Sequence, residues 1–412
     1  MKVGIGYSNI KDSAYAGKKA AEAAISGGKI QKPGLVFAFC HHQINAEDFL
    51  QGLRSVVGPD IPILGGSAIG IITNDMISYE GCPAGVAVLQ SDRLKFEIAC
   101  VGELDRDERQ AGQKLAESFS KKIDGNLLLI FYDSIKLSPT SSTPPIMNAS
   151  HPLLRGIEEG GIPDYPVLGA GLLGDFDFSP PKIFCGSYVG SQKVVGTLFD
   201  GDYHHYYQIM HGCTPMDGIY HTITKMEGPF IYEADGRPIV QIINELYGNT
   251  EWQKQLPVRR LSIGVNYGDK YGEFNEQEYV NRLIVGILPE DKGIVMFEPD
   301  LEPETEFLFM LRDTRMMMES VRSNCLDLMN RIESNGRKAV WGLYIDCAGR
   351  TSSVSETLTE EAAEIVEIFN QRKIPLLGFY SGVEIAPMLD RSRGLDWTGV
   401  LWIITEDAAN DR

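Results

Sequence analysis

Arg350, Glu384, Cys347 and Ser67 are the side chains of this 412-residue sequence whose types and surroundings point to chemistry. Arg350 follows the apolar run Val340 to Ile345 and the small step Ala348-Gly349, the position where α/β folds expose ligand-contacting groups. Its guanidinium would hold a carboxylate bidentately, and Glu384 would complement an ammonium, so the pair would take a zwitterion. The competing expectation is an internal ion pair of Arg350 with Glu384 or Asp346. Cys347 beside an arginine would be a nucleophile if its thiol were acidified, but a base is needed. All seven histidines lie outside the C-terminal motif region, so a buried, inert Cys347 is the stronger expectation.

Ser67 sits in the turn Gly65-Gly66-Ser67-Ala68-Ile69-Gly70, where glycines would bring the main chain close to a ligand. Comparable turns occur at Gly169 to Gly174 and at Gly378-Phe379-Tyr380-Ser381-Gly382. The second matches G-x-G-x-x-G, but Asp175 to Pro181 cannot open the helix that a dinucleotide site requires. His41-His42 and His204-His205 are adjacent pairs that a strand would point to opposite faces, so neither is expected to chelate a metal. Neither a cofactor nor a metal is expected.

The elements that must position these residues recur three times. Leu35 to Cys40 reads as a strand covered on both faces, and the helix after it starts at an Asn45 cap and stops at Gly58-Pro59. The strand Ile61 to Leu64 then enters the first glycine turn. A second copy runs from Leu127-Tyr132 through a Pro/Ser/Thr-rich loop and a helix starting near Ile146 to Pro166-Val167-Leu168-Gly169. The third runs from Val340-Ile345 through a helix carrying Leu358, Ala362, Ile365, Val366 and Phe369 to Pro375-Leu376-Leu377-Gly378. Between the copies, Gly85 to Gln90, Lys95 to Val101, Lys182 to Val189, Lys193 to Phe199 and His204 to Met210 read as antiparallel hairpins. A later helix over 315–334 places Met318, Val321, Cys325, Leu328 and Ile332 on its core face.

Composition narrows the function. The net charge of −18 and the lack of basic runs exclude a bare nucleic-acid binder. No segment approaches the roughly 20 apolar residues of a membrane span. Met1 to Gly6 lacks a signal-peptide pattern, so no membrane insertion and a cytoplasmic protein are expected. The seven scattered cysteines read as reduced thiols.

Taken in order, Asp12 to Ala24, Phe37-Ala38-Phe39, Leu64 to Gly70, Pro166 to Gly171, Thr222 to Lys225 and Glu233 to Pro238 resemble the FIST proteins. So do Asp346-Cys347-Ala348-Gly349-Arg350, Pro375 to Phe379, Glu384-Ile385-Ala386-Pro387 and Thr398 to Leu401. The resemblance covers nearly the whole chain and implies paired N-terminal and C-terminal FIST domains, sensory modules of intracellular signal transduction. Val383 and Asp396 depart from the family's usual Gly and Asn.

The expected fold is α/β, with mixed sheets flanked by helices, repeated strand-helix-strand modules and added antiparallel hairpins. The expected domains are 1–212 and 213–412, with a hinge near His211 to Pro215. The expected function is binding of a small polar metabolite, an amino acid among the candidates, with output through an unidentified signalling protein. Its candidate contacts are Gly65, Gly66, Ser67, Cys347, Arg350, Tyr380, Ser381 and Glu384. The alternative is a hydrolase or transferase using Cys347 or Ser67 as nucleophile.

Overall fold

Three phenylalanines from the three sequence copies meet at the centre of the molecule. Phe39 stacks on Phe379 with ring centres 3.9 Å apart, and Phe131 meets their edges at 5.3 and 5.9 Å. The structure, a computed structural model, describes residues 1–120, 126–140, 145–161, 165–389 and 391–408. The Pro/Ser/Thr-rich loop lies partly outside them, at 141–144.

Each copy contributes a parallel pair joined by a crossover helix, as its apolar strand and amphipathic segment dictate. The pairs are Leu35–Cys40 with Ile63–Ser67, Leu127–Asp133 with Val167–Leu172, and Arg337–Cys347 with Leu376–Ser381. The crossover helices are Ala46–Val57, Ser150–Glu159 and Ala362–Arg372. The Asn45 side chain accepts from the Asp48 backbone N–H at 2.9 Å, which closes the first helix N-terminus. The fold is therefore α/β with mixed sheets built on repeated modules.

The strand leaving each glycine turn joins a different copy's sheet. Ile71–Thr73 pairs with Leu376–Ser381, Ile183–Cys185 with Ile63–Ser67, and Val383–Met388 with Val167–Leu172. This cyclic exchange makes three six-stranded sheets around one core, and two of them take strands from both sides of residue 212. A fourth assembly of nine strands, from Cys213–Pro215 to Glu306–Arg312, packs around the helix Ile239–Tyr247. Among the described residues, no helix is long and apolar enough to cross a membrane.

Several local expectations are corrected. Ala84–Gln90 and Leu94–Val101 are not a hairpin, because the first pairs with Leu35–Cys40 and the second with Val194–Gly201. The helix expected near Ile146 begins at Ser150, after a two-residue strand Ile146–Met147. Leu358 lies before its expected helix and is fully exposed. In the helix Thr314–Ser334, Met317 rather than Met318 joins Val321, Cys325 and Leu328 in the core. His41 and His42 have passed the strand end, so their rings sit 4.5 Å apart instead of on opposite faces.

Candidate functional site

Arg350 is wholly buried, and protein groups occupy it. Its Nε donates to Glu361 at 3.0 Å and lies 3.2 Å from Asp346, a second guanidinium nitrogen meets Glu361, and the third donates to the His211 and Trp397 carbonyls. Tyr344 also donates to Glu361, at 2.6 Å. Burial and the nearby Glu361 push the Asp346 carboxyl well above its ordinary range, because one arginine cannot compensate two desolvated carboxylates. The zwitterion clamp is thus corrected to an internal ion-pair network, with Glu361 as a partner the sequence did not nominate.

Glu384 is held by Ser381, whose Oγ lies 2.8 Å from Oε1 and 3.0 Å from the Asp346 carbonyl. Burial pushes its carboxyl well above the ordinary range. Tyr380 donates to Glu360 at 3.0 Å. The first glycine turn serves chain packing. A Cβ on Gly65 would come within 2.1 Å of the Ala38 carbonyl oxygen, and one on Gly66 equally close to that of Lys182. Both have positive φ, at 128° and 154°. Ser67 is buried and accepts the Lys182 backbone N–H at 2.9 Å. His42 instead lies 3.2 Å from Asp175. The Cys347 thiol is pushed well up by burial and by Glu384. Neither nucleophile is activated, so the arrangement opposes the hydrolase or transferase alternative.

A cavity of about 210 Å³ opens where the second and third copies meet the nine-stranded assembly. Phe176, Phe178, Phe297 and Trp397 give it aromatic walls, and Leu173, Pro257, Leu283 and Val354 aliphatic ones. Of the expected contacts, Cys347 and Ser381 line it, beside Ala348, Gly349 and Gly382, while Gly65, Gly66, Ser67, Arg350, Tyr380 and Glu384 do not. Asp396 is its one carboxylate. Phe178 and Trp397 both adopt left-handed backbone, with φ of 58° and 55°. For bulky side chains that conformation costs about 1–3 kcal/mol each, and such strain clusters at ligand-binding sites. Two larger depressions, of about 310 and 370 Å³, lie near Asn74 and near Arg331; each has one left-handed residue in its lining, Lys373 and Leu389, and neither has left-handed aromatic walls.

Beside the cavity lies a group of buried acids. Asp396 accepts the Leu283 backbone N–H at 2.8 Å, and burial raises its carboxyl to about 6. Glu298 accepts the Ser150 backbone N–H at 3.3 Å, and burial together with Asp396 raises it to about 8. Arg282 is committed to Asp300 and to the carbonyls of Asn281 and Gly394. Sequence reasoning passed over Phe176, Phe178, Phe297 and Trp397, since nothing in an aromatic residue's identity announces a left-handed backbone. Asp396 did carry a signal, standing where an Asn was expected. Among the described residues, no group of three or more His, Cys, Asp or Glu is placed to hold a metal ion.

The FIST N domain family matches residues 34–237, and the FIST C domain family matches residues 240–387. No curated protein matches the chain. The solved structure of PurLQS from Thermotoga maritima is 10% identical, with a TM-score of 0.23 over 98% of this chain and 72% of that one, a likeness too low to carry argument.

Proposed function

The chain belongs to the FIST family, whose domains are sensory, signal-transduction domains that bind small ligands, and we propose that it senses a small polar metabolite in the cavity between Trp397 and Phe178. The observation that carries this reading is the convergence of two strained aromatic residues on one 210 Å³ space. That volume is below the roughly 300–1,000 Å³ of drug-sized sites and suits a metabolite of few heavy atoms. Cys347 and Ser381 touch the ligand, and the setting is cytoplasmic. Output passes to a signalling protein, through ordering of the loops that meet at the cavity.

Thermal unfolding against a broad metabolite set tests the proposal, because a molecule that binds only the folded chain raises the midpoint. The expected result is a small set of stabilising compounds whose effect disappears in Val354→Trp, which fills the cavity. A broad set that leaves the midpoint unmoved would sink the reading.

A further inference from the structure

Among the fourteen residues lining the cavity, Asp396 alone is charged. It is 3% exposed, its Oδ2 is fixed by the Leu283 N–H, and its Oδ1 has no partner. An unmatched carboxylate oxygen in a desolvated place is costly, and a donor from outside the protein would relieve it. The cations nearby are committed to other groups. Arg350 is tied to Glu361, and Arg282 to Asp300. Arg312 lies over the Trp397 ring while donating to Ser355, Gly349 and Arg259. None of the three lines the cavity. The Trp397 Nε1–H is likewise buried without a partner.

Resting on the cavity reading above, we infer that the ligand is a small cationic amine with an apolar body and no carboxylate group. Its ammonium pairs with Asp396 and lies among the aromatic faces of Phe176, Phe178, Phe297 and Trp397, which attract cations. A ligand carboxylate would enter the same apolar space beside Asp396 with no cation to meet it. The chain's net charge of −18 favours cation encounter in addition.

Isothermal titration of the whole protein with four matched probes decides the matter: 2-phenylethylamine, 2-phenylethanol, 3-phenylpropionate and phenylalanine. The amine is expected to bind at least tenfold more tightly than the alcohol, and the two carboxylates at least tenfold more weakly than the alcohol. In Asp396→Asn, amine affinity falls to that of the alcohol while alcohol affinity holds. The wild-type series stands by itself if that variant fails to fold. Equal or tighter binding of alcohol, propionate or phenylalanine would overturn the amine class and leave the cavity reading intact. An amine preference that survives in folded Asp396→Asn would overturn the anchor. If none of the four binds, the amine inference fails, while the cavity reading is decided separately by the broad thermal screen.

Discussion

The Arg312 guanidinium lies over the indole of Trp397, its central carbon 4.0 Å from the ring centre. That contact belongs to a clamp on a strained residue. The Trp397 carbonyl accepts from Arg350 at 2.9 Å, and a Cβ on Gly349 would come within 2.1 Å of the indole. The arginines and a residue without a side chain together hold a left-handed tryptophan as a wall of the cavity, so the ion-pair network shapes the cavity without lining it.

Replacing Arg312 by Met is expected to loosen that wall. A desolvated cation–π contact contributes about 2 kcal/mol, and burial already lowers the Arg312 guanidinium to about 10. A double-mutant cycle with Trp397→Leu, read by urea unfolding, should return a coupling energy of about 2 kcal/mol. Strictly additive single variants would show that the stacking stabilises nothing.

Arg350→Met should cost more. It leaves Glu361 and Asp346 buried without their cation, and breaking a buried ion pair from one side typically costs about 3–5 kcal/mol. Arg350→Lys should be nearly as harmful, because an ammonium cannot serve two carboxylates and two carbonyls with forked geometry. Denaturant midpoints check both. A Lys variant as stable as wild type would contradict the network.

The three parallel pairs were legible because an apolar run, a capped helix and a Pro-x-Leu-Gly strand are local signals. The exchange of strands between sheets was not. Ile71-Ile72-Thr73 has the same side-chain pattern whether it pairs beside its own copy or beside Leu376–Ser381, and only the completed core selects the partner. The burial of Arg350 and Glu384 escapes the sequence for a related reason. Arg350 and Glu384 were read as ligand groups because their loops looked exposed, whereas the charges of Glu361 and Asp346 and the chain reversal at Trp397 bury the arginine. Cys347 and Ser381 sit at strand ends facing the cavity, as the strand-end rule implies.

Thiol reactivity should separate the cysteines. Burial raises Cys347 and Cys40 well above the ordinary thiol range and raises Cys325 to about 12. Cys100 moves the other way, lowered by a hydrogen bond from Cys185 with help from Lys193. Iodoacetamide at neutral pH should therefore label Cys100 first and leave Cys347 unmodified until denaturant is added, with peptide mass spectrometry as the readout. Rapid native labelling of Cys347 would revive the nucleophile alternative.

Glu298 sets a pH dependence of known sign. Burial raises its carboxyl from 4.5 to about 8 in the folded chain, so between those limits the native state holds a proton that the unfolded state has released. Stability tied to this group is complete below about pH 4.5 and is lost as pH rises toward 8, at up to about 1.4 kcal/mol per pH unit. Glu298→Gln cannot release that proton, and its amide keeps an oxygen for the Ser150 N–H. Relative to wild type, the variant should gain stability steadily from pH 5 to 8 and then level off. Asp396 and Asp133, both raised to about 6, add slope of the same sign to both proteins over a lower range, so only the difference between the two curves reports Glu298. Urea unfolding at half-unit pH steps gives that difference directly. Parallel wild-type and variant curves would mean that Glu298 is ionised in the folded protein, and the acid group beside the cavity would then carry one more negative charge than its burial allows.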